Sequence, residues 1–196
     1  MKILKILFLL CVVCKFIYAD NIRLSDKNNV FTVKENHHSS FTFVNHLHSF
    51  NAKKIKTDHG DFVKLIIPNY AYNTNIGDAE LPVLKEIIIR PSGSNVNIEI
   101  IKKEDTLISL SDYDIYNKIL PHQPSISKGD DAENIPFYFN DLYYKNDQFY
   151  SNNNVINVEK LGTIRKQNLS RISFHPFQYN PIKNQLRIIT KIEVKV

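Results

Sequence analysis

Beyond Asp20 no stretch of ten or more residues holds a helical period, and apolar side chains recur instead at every second position. Alternation of that kind puts one set of side chains on each face of an extended chain, so it selects half-buried β-strands. In Ser40–Phe50 (SFTFVNHLHSF), Phe41, Phe43 and Leu47 fall on one face and Thr42, Val44, His46 and His48 on the other. Further strands are expected over Phe62–Ile67, Val83–Ile89, Val96–Ile101, Arg171–Phe177, Leu186–Thr190 and Ile192–Val196. Turn chemistry separates them: Asp58-His59-Gly60-Asp61, Arg90 to Asn95 around Pro91 and Gly93, and Asn180 to Asn184 around Pro181. The chain has 196 residues and 43% are hydrophobic, enough for a real core. The expected fold is therefore all-β, an antiparallel, jelly-roll-like β-sandwich.

The start of the chain reads differently. Lys2 and Lys5 precede the apolar run Ile6–Cys14 (ILFLLCVVC), and Ile17-Tyr18-Ala19 ends on a small residue before Asp20. This is the layout of a signal peptide, too short to span a bilayer core that needs about 20 apolar residues. The expected organisation is a signal peptide over 1–19, an N-terminal extension over 20–39 and the sandwich over 40–196. The leader carries Lys2, Lys5 and Lys15 and no acid, so without it the formal net charge of +5 falls to +2. The basic charge thus belongs largely to the leader, and a nucleic-acid partner is not expected. Cys11 and Cys14, the chain's 2 cysteines, also lie there. Residues 20–196 can therefore supply no thiol nucleophile, disulfide or thiolate metal site. Export to the periplasm, cell surface or exterior follows, with membrane contact only in transit.

Constellations that could carry chemistry are sparse. His46 and His48 share a strand face and sit near His37, His38 and His59, yet no carboxylate stands at a supporting interval. Asp78 and Glu80 in Gly77-Asp78-Ala79-Glu80 are acids whose placement a hydrolase would have to fix. No G-x-S-x-G elbow occurs, and the 5 glycines form no phosphate-cradling loop. No catalytic residue, metal ligand or cofactor is therefore assigned. Tyr138, Tyr143, Tyr144 and Tyr150, in the aromatic stretch Pro136–Tyr150, read as a strand and turn capping the sandwich. They also leave open an alternative, a secreted carbohydrate-binding or adhesive module. One interval breaks the pattern: 111–134 (SDYDIYNKILPHQPSISKGDDAEN) is a long connection rich in Pro, Gly and acids, and such connections are usually functional or disordered.

Several blocks resemble gingipain propeptides. Gly77-Asp78-Ala79-Glu80-Leu81-Pro82-Val83-Leu84 followed by Pro91 is similar to that family's G-x-P-x-L-P segment, with Ala79 in place of a proline. Ile135-Pro136-Phe137-Tyr138 and the Tyr143 region resemble a middle block. Leu161-Gly162 and Arg165 lead into Ile172-Ser173-Phe174-His175-Pro176-Phe177-Gln178-Tyr179-Asn180-Pro181, which looks like the family's Pro-x-Q-Y-N-P turn before a closing hairpin through Leu186 and Ile192–Val196. The similarity runs from about Ser40 to Val196, and Gly77, Leu81, Pro82, Gly162, Arg165, Pro176, Tyr179, Asn180 and Pro181 carry its structural motifs.

The resemblance implies a β-sandwich prodomain of a caspase-like cysteine endopeptidase exported by type IX secretion, which holds the enzyme inactive and assists its folding. In this family a basic residue on a long propeptide loop enters the specificity pocket. Ile126-Ser127-Lys128-Gly129-Asp130 looks like that loop, which makes Ser127, Lys128 and Gly129 the expected inhibitory residues. Lys128 stands where Arg-specific members carry arginine, so the partner's preference for lysine or a broader specificity is open. The expected partner is the catalytic domain, in cis if the chain is a truncated precursor or in trans if it is separate. An ending directly after a strand favours truncation.

Overall fold

The computed structural model describes residues 20–37, 40–129, 135–150 and 154–196. The strands are β1 (Asp20–Arg23), β2 (Val30–His37), β3 (Ser40–His46), β4 (Ser49–Thr57), β5 (Gly60–Ile66), β6 (Ala71–Tyr72), β7 (Pro82–Arg90), β8 (Glu99–Ser109), β9 (Ile156–Ile164), β10 (Gln167–Phe174), β11 (Phe177–Asn180) and β12 (Gln185–Lys195). A 3-10 turn at Leu110–Tyr113 and one helical turn, α1 (Asp141–Tyr144), complete the described elements. Three antiparallel sheets run β1-β4-β5, β6-β7-β10-β9 and β11-β12-β3-β2, with β8 on the other side of β12.

Two cores lie between these sheets. One packs Ile22, Phe50, Val63 and Leu65 of β1, β4 and β5 against Phe177, Tyr179, Leu186 and Ile188 of β11 and β12. The other packs Leu84, Ile156, Ile172 and Phe174 of β7, β9 and β10 against Phe43, Ile189, Ile192 and Val194 of β3 and β12. Strand β12 serves both because Thr190 is a β-bulge: Ile189 faces Asp105 and Lys191 faces Glu104, with Thr190 extra. An inserted residue reverses the alternation, so Leu186 and Ile188 point to the first core and Ile192 and Val194 to the second. The carbonyl of Thr190 accepts from Leu47 N at 2.8 Å, which fixes the bulge on the β3–β4 corner.

Several expectations are corrected here. Leu186–Thr190 and Ile192–Val196 are a single strand bent at that bulge. Arg171–Phe177 is not one strand: it breaks at His175-Pro176, where the chain leaves the second core at Phe174 and enters the first at Phe177. Pro176 has no N–H to give a ladder, and its carbonyl accepts from Ile189 N at 2.8 Å. The strand expected over Val96–Ile101 is Glu99–Ser109, almost wholly exposed, which is why it shows no alternation. Pro136–Tyr150 contains no strand but the turn α1, capped by the Asn140 side chain accepting from Tyr143 N at 3.2 Å. The stretch set apart as an extension supplies β1, with Ile22 buried, and β2, which pairs with β3. The signal peptide proposed for 1–19 lies outside the described residues.

His175, beside that sheet-switching proline, gives a pH test. Burial first, and then the nearby Lys85 ammonium, hold its pKa below the ordinary 6.5, and His46 is shifted the same way. The unfolded chain therefore takes up these protons at higher pH than the native one. Their stabilisation is complete above 6.5 and is lost as pH falls below it. The urea midpoint is expected to drop on acidification from about pH 7.5 towards 5, with a shallower drop in His175→Gln. A midpoint that stays level, or an unchanged slope in the variant, removes His175 from this role.

Candidate functional site

Among the described residues of the interval 111–134, the stretch to His122 is packed and residues 125 to 129 are exposed. Leu110, Ile115 and Ile119 are fully buried in the first core. Ile119 forms a parallel bridge with Val63, and Pro121 an antiparallel bridge with Ala79. The backbone ties are dense: Val63 N to Lys118 O at 2.9 Å, and Leu120 N to Val63 O, Glu80 N to Leu120 O, His122 N to Asp78 O and Gly77 N to His122 O each at 2.8 Å. So the segment expected to be one long excursion serves up to His122 as an extra edge of the body. Only beyond it does the chain turn outward.

The neck of the loop is clasped by one side chain. Gln123 Oε1 accepts from Tyr138 N at 2.9 Å, while its Nε2 donates to Tyr138 O at 2.8 Å and to Pro121 O at 3.0 Å. An amide that pairs with both polar groups of one backbone residue mimics a step of β-ladder, and here it joins the two roots of the loop. Beyond it, residues 125 to 129 are exposed and Lys128-Gly129 form a turn. Residues 130 to 134 lie outside the described set. Ser127, Lys128 and Gly129 are thus at an exposed turn on a clasped neck.

Gly77 supports the returning root. It sits at φ +83°, and a Cβ added there would lie 3.1 Å from Asn140 N. Its carbonyl accepts from that same N–H at 2.9 Å, so only glycine permits the approach. Asp78 and Glu80 are held as structural acceptors. Asp78 Oδ1 accepts from Asn140 Nδ2 at 2.7 Å. Glu80, nearly buried, meets Lys64 Nζ at 2.8 Å and His122 Nδ1 at 3.1 Å. Each carboxylate already serves packing partners, so the pair forms no open acid–base site. Phe139 stacks on Tyr144 with ring centroids 4.3 Å apart, and Tyr144 Oη donates to Ile119 O at 2.7 Å, joining the returning root to the packed half.

The other expected positions are scattered through the frame. Leu81 and Pro82 are buried where β7 begins, and Leu81 N donates to Asn73 Oδ1 at 2.9 Å. Gly162, at φ +117°, follows the bulged Leu161 on β9. Arg165 and Lys166, at φ +49° and +66°, make the two-residue turn into β10. Tyr179 is buried with its hydroxyl on Asn184 Oδ1 at 2.9 Å, and Asn184 Nδ2 donates to Ile115 O at 2.9 Å. Asn180 Oδ1 accepts from Ile182 N and Lys183 N at 3.1 and 3.0 Å, closing the turn that Pro181 opens. The Q-Y-N-P turn therefore buttresses the packed half of the interval.

His46 and His48 do not share a strand, since β3 ends at His46 and β4 begins at Ser49, but their rings stack at 5.6 Å. Among the described residues no group of three or more His, Cys, Asp or Glu is placed to hold a metal. Tyr143 and Tyr144 are buried, so the four tyrosines form no exposed platform for sugar rings. Gln123, Asn140 and the Lys64–Glu80–His122 contact escaped the sequence reading because their partners lie far along the chain. Asn180, just before a proline, carried a recognisable turn signal.

Removing the clasp is expected to have a measurable cost. Gln123→Ala leaves Tyr138 N–H and two carbonyls without their partner; at about 0.5–1.5 kcal/mol per net hydrogen bond and with water able to reach the neck, the loss should be about 1–2 kcal/mol. Hydrogen exchange at the Tyr138 amide should accelerate about tenfold or more on the same scale. Unchanged exchange there removes the clasp from the account.

The sequence matches the Propeptide_C25 family over residues 21–196. It is 29% identical over 182 residues to Lys-gingipain HG66 of Porphyromonas gingivalis, a match covering 92% of this chain and 10% of that protein. It is 30% identical over 178 residues to Lys-gingipain of P. gingivalis strain ATCC 33277, covering 91% and 10%. The chain thus spans about a tenth of the length of these curated relatives. Its fold superposes on a structure bearing on the zymogenic latency of gingipain K from P. gingivalis, with TM-score 0.85 and 28% identity over 91% of this chain and 97% of that one. A complex of P. gingivalis RgpB pro- and mature domains shares the fold at TM-score 0.69 and 18% identity, over 84% and 83% of the two chains. This sandwich, with its clasped loop, belongs to the Propeptide_C25 family of gingipain propeptides.

Proposed function

We infer that the chain is the inhibitory, folding-assisting prodomain of an exported gingipain-type cysteine endopeptidase, and that Lys128 occupies the partner's specificity pocket until processing. The observation carrying this is the position of Lys128: an exposed turn on a loop whose two roots are fastened by Gln123 and Gly77. A fastened neck lowers the entropy lost when a loop docks, because fewer backbone states have to be given up. An ammonium entering an acidic pocket gains a desolvated charge pair, and truncating one partner of such a pair typically costs about 2–5 kcal/mol. Inhibition is substrate-like: the segment around Ser127-Lys128-Gly129 fills the cleft while its carbonyl is held off the line of thiolate attack.

The chemistry belongs to the partner, since residues 20–196 contain no cysteine. Residues 1–19 act as the signal peptide, which places the mature chain in the periplasm, at the cell surface or outside. The partner is the caspase-like catalytic domain, in cis or in trans. The test is to mix the protein with a gingipain-type catalytic domain and follow cleavage of a lysyl substrate. Competitive inhibition of that cleavage supports the reading. Absence of inhibition in a folded protein overturns it.

A further inference from the structure

A second feature of the fold lies apart from the loop and shares no lining residue with its neck. A groove of about 600 Å³ opens where the β3–β4 corner meets the end of β1 and the middle of β8 and β12. Its floor is apolar, with Leu47 and Ile108, and its rim carries Arg23, Lys27 and Lys191 together with His46 and His48. Glu104 is the lone carboxylate in the lining, and it is already taken by Lys102 Nζ at 2.8 Å. Three permanently charged cations therefore line one cavity against a single carboxylate.

The corner is held from several sides. Asn29 Oδ1 accepts from His48 N at 2.6 Å and Ser49 N at 2.9 Å, and Asn29 Nδ2 returns a bond to Ser49 O at 2.8 Å. The carbonyl of His48 accepts from Leu24 N at 2.7 Å, and its ring Nδ1 meets Ser25 Oγ at 2.7 Å. The His46 ring stacks on that fixed imidazole at 5.6 Å with 16° between the planes. The corner backbone and the two imidazoles are thus fixed before any ligand arrives.

We propose that this groove binds a compact oxyanion group carrying two negative charges, phosphoryl or sulfuryl, held by Arg23, Lys27 and Lys191 and strengthened when His46 takes up a proton. The charged groups facing His46 support this sense. Burial, Lys191, His48 and Lys27 all lower its pKa, and Glu104 alone opposes them. His46 is therefore biased towards its neutral form by burial first and by the neighbouring cations second, and a dianion that offsets those cations favours its protonation. Binding and proton uptake are linked, so affinity rises as pH falls through the ordinary histidine range.

The experiment titrates the protein with sodium sulfate, and in a separate arm with inorganic phosphate, at constant ionic strength set with NaCl, following the His46 and His48 ring signals by NMR. Sulfate keeps its charge across this range, so its pH dependence reports the histidines alone. Saturable shifts are expected, at least about threefold tighter near pH 6 than near pH 7.5. Arg23→Gln/Lys191→Gln should weaken binding about tenfold or more, as loss of charge-assisted contacts predicts. Both side chains lie on the rim of the groove, so the melting temperature of the variant serves as the folding control. The phosphate arm identifies which oxyanion is preferred. Lack of saturation in both arms overturns the proposal, and so does binding that ignores the double substitution or leaves the histidine signals unmoved.

Discussion

Lys128→Ala is expected to raise the inhibition constant of the protein against a gingipain-type catalytic domain by at least tenfold, towards about three decades. The magnitude follows from removing one partner of a desolvated charge pair, about 2–5 kcal/mol, at 1.4 kcal/mol per decade. Charge reversal in Lys128→Glu should exceed it, because repulsion replaces attraction in a closed pocket. Lys128→Arg is the informative variant. An arginine fork and a lysine point charge fit different pockets, so a partner specific for lysine loses affinity with arginine and a broader one does not. Lys128 is exposed in its turn, so its folding stability should stay within about 0.5 kcal/mol of the parent. That separation makes the test clean: inhibition is lost while the melting transition stays. If Lys128→Ala inhibits as well as the parent, the prodomain role stands and the residue is discarded.

How much of this was legible in the sequence depends on whether the signal was local. The hairpin turn at Asp58-His59 and the Asn180–Asn184 turn announce themselves through residues whose own chemistry bends a chain. The turn at Arg165-Lys166 does not: both residues adopt positive φ although neither is Gly or Asn, so the flanking β9–β10 ladder imposes it. The bulge at Thr190 was invisible because an inserted residue looks like a change of phase, and a change of phase looks like the end of a strand. Strand β8 was missed beyond Ile101 since neither of its faces is covered over most of its length, and alternation exists only where one face is buried. The exposed turn at Lys128 could be anticipated from composition and family resemblance. The clasp beneath it could not, since Gln123 and Tyr138 are related only through the folded backbone. Ile115 and Ile119 are the reverse case. Their spacing, flanked by Asp, Asn and Lys, gave no strand or helix period, yet both are fully buried.

Those buried residues focus the second large effect on Tyr144. Its ring is wholly buried, stacked on Phe139 at 4.3 Å and set edge-on to Tyr143 at 5.2 Å, and its hydroxyl donates to Ile119 O at 2.7 Å. Burial drives its phenol pKa far upward, with Tyr143 and other neighbours adding to the shift, so the hydroxyl stays a neutral donor at any working pH. Tyr144→Ala opens a cavity of aromatic size and strands a buried carbonyl, and truncations of this kind cost about 3–5 kcal/mol. That is a large share of the about 5–15 kcal/mol by which domains are stable, so the variant should denature at much lower urea with an unchanged slope. Tyr144→Phe keeps the ring and loses only the bond, for which about 1–3 kcal/mol is expected. The pair of variants separates packing from hydrogen bonding, and it also bears on the loop. Ile119 lies three residues before His122 on the packed half, and Phe139 lies on the returning root. Tyr144→Phe should therefore fold, yet present Lys128 on a looser base and inhibit more weakly than its stability loss alone accounts for. A Tyr144→Ala cost below about 1 kcal/mol would contradict the packing account, because only a side chain outside the core can be truncated that cheaply.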